Sequence, residues 1–176
     1  MKAIEEFALK EQTPWKKWSV LIAMYTGARI SEIEGLLLSE IKVCPETGTN
    51  YFWIEGGKSG AARRQVPVHT KLVEYGMLEA LPLVESKGRD QFDYFLKTSL
   101  GKLDIARKGV NGGARLWHGF RVAVIDTLAN LTDGRINTNH LQQMVDHEKS
   151  LGITNTYMRT APVADLVTIV EELNWS

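Results

Sequence analysis

A chain of 176 residues, 44% hydrophobic and 24% charged, has the size and composition of a single domain with a packed core, which excludes disordered, collagen-like and disulfide-stapled classes. Its 21 basic and 21 acidic residues cancel, but unevenly. Residues 1–55 hold 6 basic and 8 acidic side chains (net −2), residues 56–121 hold 12 and 6 (net +6), and residues 122–176 hold 3 and 7 (net −4). A basic middle between acidic ends fits either an anion-facing surface or a solvated charged face. The apolar run Val20 to Met24 is far short of the roughly 20 residues of a membrane span, and no secretory signal pattern opens the chain. The single cysteine, Cys44, cannot close an internal disulfide, which fits a reducing compartment.

In chain order, Thr13-Pro14 predicts an N-cap with proline at the first helical position, and Trp15 to Tyr25 a helix stopped by Gly27. Ser31-Glu32 opens a second helix with Ile30, Ile33, Leu36 and Leu37 on one face. Pro45 to Asn50 is turn chemistry leading into a strand over Tyr51 to Ile54. Gly56 to Gly60 is a second turn, and Gln65 to Val68 a short strand that Pro67 assigns to a sheet edge. Helices follow over Lys71 to Leu81, Leu100 to Lys108 and Trp117 to Leu131. Asn137 or Thr138 caps another over Leu141 to Val145, and Ala161-Pro162 opens a last one through Leu173. The expected fold is a mostly helical α+β domain with one small antiparallel sheet.

Common cofactor and hydrolase chemistries find no foothold. No histidine pair has helical metal-ligand spacing, Cys44 has no ligand neighbour, and P-loop, G-x-G-x-x-G and G-x-S-x-G patterns are missing from the sequence. Thr26-Gly27-Ala28-Arg29-Ile30-Ser31-Glu32 instead places an arginine at a corner between two helices. There its guanidinium can meet a phosphate beside a helix N-terminus, or simply pair with Glu32. In His118-Gly119-Phe120-Arg121 the two polar side chains share a helix face, with Val122, Val124 and Ile125 expected to anchor them. His147 precedes Thr154-Asn155-Thr156-Tyr157 between two helices, and Lys58 stands at a strand turn ahead of Arg63-Arg64. Trp15, Trp18 and Trp53 read as core residues, Trp117 as packing either site or core, and His69 and His140 as surface or cap residues.

In this order, T-G-A-R-I-S-E, Lys58-Ser59-Gly60 with Arg64-Gln65-Val66-Pro67-Val68, H-x-x-R, and a histidine ten residues before a tyrosine resemble the tyrosine recombinases, the phage integrase family. The resemblance runs from Trp15 to Leu173 and implies that residues 1–176 are that family's catalytic domain, a fragment without the N-terminal core-binding domain. It implies that Tyr157 attacks a DNA phosphodiester to give a 3′-phosphotyrosyl link, with Arg29 and Arg121 clamping the non-bridging oxygens. Lys58 would protonate the leaving 5′-oxygen, His118 assist proton transfer, and His147 hydrogen-bond the phosphate. Arg63, Arg64, Lys97, Lys102, Arg107, Lys108 and Arg115 are candidate contacts to the phosphate backbone. The implied partners are double-stranded DNA, three further copies in a synaptic tetramer, and accessory DNA-bending proteins, with a monomer for the isolated domain. No cofactor, metal or membrane is implied, and the place of action is the bacterial cytoplasm or nucleoid.

A phenol with pKa near 10 is protonated at neutral pH, so attack requires a base or a strong positive field, which paired guanidiniums supply. The chain departs from the family pattern at Val145-Asp146-His147, where Leu-Gly-His is usual, and in a His147-to-Tyr157 gap one residue longer than the commonest. A type IB topoisomerase-like activity and a non-catalytic DNA-binding remnant of a mobile element are the alternatives.

Overall fold

The computed structural model describes residues 1–38, 41–54, 63–81, 84, 87–106, 116–131, 136–145 and 161–175. Helices α1 (Lys2–Lys10), α2 (Pro14–Thr26) and α3 (Ile30–Leu38) open the chain. Strands β1 (Lys42–Val43), β2 (Asn50–Ile54) and β3 (Arg64–Pro67) follow. Six helices complete the described elements: α4 (Thr70–Glu74), α5 (Met77–Ala80), α6 (Arg89–Lys102), α7 (Trp117–Ala129), α8 (Thr138–Val145) and α9 (Val163–Val170).

The expected class therefore holds: mostly helical α+β, with an antiparallel sheet in the order β1-β2-β3. Phe52 faces Val66 and Ile54 faces Arg64 across the β2–β3 register. Pro67 sits on an edge strand, where its missing N–H leaves no ladder bond unmade.

The core is organised around α2. Every residue from Trp18 to Thr26 is buried, because α1, α3, α4 and α7 surround the helix. A helix enclosed this way needs apolar side chains all round rather than a stripe. Ser19 and Thr26 turn their hydroxyls back onto Lys16 and Ile22 carbonyls, which makes them tolerable there. Against α2, the helix α7 contributes Phe120, Val124 and Leu128. The sheet and α9 pack on each other and add Phe52, Val66, Leu166 and Ile169 to the same core.

Three expectations are corrected. The continuous helix over Lys71 to Leu81 is two short helices, because Gly76 adopts φ +84° and turns the chain between them. Of the helix placed from Leu100 to Lys108, the part up to Lys102 belongs to α6, which begins at Arg89, and the chain then turns through Asp104, whose φ is +53°; Arg107 and Lys108 lie outside the described residues. The helix expected through Leu173 ends at Val170. The N-terminal α1 was not anticipated. Among the described residues, no helix is long and apolar enough to cross a membrane.

Candidate active site

The corner between α2 and α3 is built residue by residue. The Thr26 hydroxyl donates to the Ile22 carbonyl (2.6 Å) and accepts from the Ala28 N–H (3.1 Å), bridging the break in the helix. Gly27 takes φ +63°, and a Cβ there would lie 3.3 Å from Val124 Cγ1 and 3.5 Å from Val145 Cγ1. Only glycine meets both the left-handed backbone and that close approach of α7 and α8. Arg29 is the N-cap of α3, its carbonyl accepting from the N–H groups of Glu32 and Ile33. Glu32 at the third helical position accepts the Arg29 N–H at 2.8 Å, one half of a capping box.

The same carboxylate orients two guanidiniums. Arg29 Nη1 donates to Glu32 Oε1 at 3.0 Å, so the expected Arg–Glu pair is present. Arg64 donates through Nη1 and Nη2 to the two Glu32 oxygens at 3.0 and 2.8 Å, and through Nε to the Met144 carbonyl at 2.9 Å. Burial pushes the Glu32 carboxyl up, but the hydrogen bonds and charge of Arg64 outweigh it and hold the group below its ordinary range. The proposed role of Arg64 as a phosphate contact is thereby corrected. It is 3% exposed, and all three kinds of guanidinium nitrogen face inward partners. Arg63, Lys97 and Lys102 are exposed, and Lys102 lies over the Phe7 ring at 6.0 Å.

Helix α7 brings the second group. Its first turns carry His118, which is exposed, and Arg121, which is 4% exposed. Arg121 Nη1 donates to the Gly27 carbonyl at 3.2 Å, tying α7 to the α2–α3 corner. The result is a pocket of about 200 Å³ with Ala28, Arg29, Ile30 and Ser31 on one wall. Arg89, Trp117, His118 and Arg121 line the rest of it. Arg29, His118 and Arg121, separated by some 90 positions in the chain, therefore meet at the N-terminus of α3. Lys58, His147 and Tyr157 lie outside the described residues, as do Arg107, Lys108 and Arg115.

Two features differ from the sequence reading. Val122 does not anchor the motif: it is 52% exposed and lines a separate apolar groove of about 630 Å³ on the other side of His118, with Ile4, Leu96 and Phe120. Arg89 was not among the candidates, because the start of α6 was missed. Trp117 serves both expected purposes, lining the pocket while packing edge-on to Phe92 at 6.0 Å. Of the two roles expected for His69, surface or cap, it takes the cap: it is the buried N-cap of α4.

No described lining residue of this pocket carries a carboxylate. A small cavity lined by three arginines at a helix N-terminus, with Glu32 bracing one of them, is suited to a tetrahedral or planar oxyanion. Its volume lies below the roughly 300–1,000 Å³ of pockets that enclose whole organic ligands. Among the described residues, no group of three His, Cys, Asp or Glu side chains is placed to hold a metal ion. Comparison with known protein families, with curated proteins and with solved structures finds no match to this chain.

Proposed function

We propose that the chain is the catalytic domain of a site-specific DNA recombinase of the tyrosine type, acting in the bacterial cytoplasm or nucleoid as a synaptic tetramer. The reading rests on the sequence resemblance, and the observation that carries it is the meeting of Arg29, His118 and Arg121 around one phosphate-sized pocket.

In this mechanism the phosphodiester sits between Arg29 and Arg121, each guanidinium donating to its non-bridging oxygens. The Tyr157 oxygen attacks phosphorus as His118 takes up the phenol proton, a P–O bond to the phenol forms, and the bond to the 5′-oxygen breaks. Lys58 delivers the proton that leaves with the 5′-hydroxyl, while His147 hydrogen-bonds the phosphate. The reverse step joins a 5′-hydroxyl from the partner duplex, so the bond energy is retained in the phosphotyrosine. The arginines act on charge that grows in the transition state, where one fixed donor is worth about 10²–10³ in rate.

The experiment is covalent trapping on a pool of nicked duplexes of randomised sequence, whose short 5′-hydroxyl fragment diffuses away after cleavage. Wild-type protein is expected to yield denaturation-resistant protein–DNA adducts, and Tyr157→Phe none. Adducts absent from both overturn the catalytic reading in favour of the DNA-binding remnant. Adducts accompanied by supercoil relaxation without strand exchange favour the topoisomerase alternative.

A further inference from the structure

Arg64 is 3% exposed and does not line the pocket, yet it bonds the carboxylate that braces a residue that does. Its Nη1 and Nη2 meet Glu32 Oε1 and Oε2 at 3.0 and 2.8 Å, a two-point fork that fixes the plane of the carboxylate. Each oxygen then serves a second donor, and both of those donors belong to Arg29. Oε1 accepts from Arg29 Nη1 at 3.0 Å, and Oε2 accepts from the Arg29 N–H at 2.8 Å. Arg29 is 47% exposed at the pocket wall, so a carboxylate anchored on its inner side directs its guanidinium. The anchor is held from behind, because Arg64 Nε donates to the Met144 carbonyl of α8 at 2.9 Å.

A buried ion pair adds little stability that well-packed apolar side chains of similar volume would not supply. What it does that they cannot is hold a carboxylate in one orientation. Burial pushes the Glu32 carboxyl up, but the bonds and charge of Arg64 keep it ionised and able to accept from Arg29. We propose that Arg64 is a positioning residue of the pocket: through Glu32 it sets the place of the Arg29 guanidinium, and it touches no substrate atom. This inference rests on the strand-cleaving reading above. A donor misplaced by about 1 Å at a reacting group costs up to about 10²-fold in rate.

The test follows single-turnover adduct formation on a nicked duplex recovered from the trapped pool, at saturating DNA and below each variant's thermal midpoint. Amplitude and rate constant are read separately for Arg64→Lys, Arg64→Met, Arg29→Gln and the double variant Arg29→Gln/Arg64→Met. Loss of folded molecules lowers the amplitude alone, whereas a misplaced Arg29 lowers the rate constant of the molecules that react. Arg64→Met is expected to react about 10–10² times more slowly than wild type. Arg64→Lys should be as slow, since a single ammonium keeps the charge but not the fork. Arg29→Gln should lose about 10²–10³. Adding Arg64→Met to it should change the rate constant by less than about twofold, because the effect passes through Arg29. A wild-type rate constant in either Arg64 variant, whatever its amplitude, overturns the inference and leaves the recombinase reading intact. A full further fall in the double variant overturns it too, by making Arg64 act independently of Arg29. Wild-type protein that forms no adduct overturns the reading itself and the inference with it.

Discussion

At the scale of single residues, Gly27 shows how one position serves both packing and chemistry. Its left-handed backbone ends α2, its bare Cα admits Val124 and Val145, and its carbonyl holds Arg121. Gly76 provides an internal comparison, because it also has positive φ (+84°) but the nearest atom to an added Cβ is Glu79 Oε2 at 3.8 Å. Gly76→Ala is expected to cost only the backbone strain, about 1–2 kcal/mol. Gly27→Ala adds displacement of Val124, so it should cost about 1–3 kcal/mol more. Urea unfolding of the two variants measures the difference, and equal losses would refute close packing of α7 on the corner. The Thr26 to Glu32 stretch was legible in the sequence only in its local contacts, and not in those of Gly27 with Arg121 or of Glu32 with Arg64. The stop at Gly27 and a carboxylate three residues from Arg29 are read from spacing alone, whereas the helix opens at Ile30 with Arg29 as its N-cap rather than at Ser31-Glu32. Arg64 was not legible in this way: an arginine next to Arg63 looks solvent-facing until the tertiary fold supplies Glu32 and Met144.

Among elements, the Glu32–Arg64 pair joins α3 to β3, and the bond from Arg64 Nε to Met144 adds α8. Both side chains are nearly sealed, at 6% and 3% exposure. Removing one charge from such a pair strands the other, which typically costs about 3–5 kcal/mol. Glu32→Gln is therefore expected to lose about 3 kcal/mol or more in chemical denaturation. Arg64→Met should lose less, because Glu32 keeps both of its bonds from Arg29. If the two variants are equally stable, the stranded-charge argument fails. The same comparison explains which elements the sequence revealed. Trp117 to Leu131 was visible from its periodicity, and α7 occupies nearly that span. The segment that forms α6 carries Phe92, Phe95, Leu96, Ser99 and Leu100 inward at helical spacing, but the polar residues between them masked the pattern. In the Lys71 to Leu81 stretch the apolar period continues across Gly76, so the break is a matter of backbone sign that periodicity does not encode.

Across the whole molecule, a buried polar cluster fastens the two ends of the described chain to the central helix. Glu5 of α1 accepts from the Tyr25 hydroxyl of α2 and from the Tyr75 hydroxyl beyond α4 at 3.1 Å. Burial, then the neighbouring Glu5 carboxylate, pushes the Tyr25 phenol well above its ordinary value. The His69 ring lies 4.5 Å from that of Tyr25. Its Nδ1 accepts the Lys71 N–H at 3.0 Å, which places the proton on Nε2, 3.1 Å from the Leu173 carbonyl. A second proton on Nδ1 would therefore face the Lys71 N–H and abolish the cap of α4. Desolvation is the main cause holding His69 below its ordinary 6.5, opposed by Glu171 at 3.7 Å and by Glu5, and assisted by the charge of Lys71. Because the folded value is the lower one, the unfolded chain takes up its proton first as pH falls. Stability is thus complete above the ordinary value and declines as pH drops through it towards the folded value. The thermal midpoint of the wild type is expected to fall between about pH 7.5 and about pH 5.5, above the range where carboxylates titrate. His69→Asn keeps a capping acceptor but cannot titrate and cannot reach Leu173 in the same way. It should start from a lower midpoint at neutral pH and show a flatter profile across that window. A wild-type-like decline in His69→Asn would move the pH dependence elsewhere in the cluster and leave His69 only its capping role.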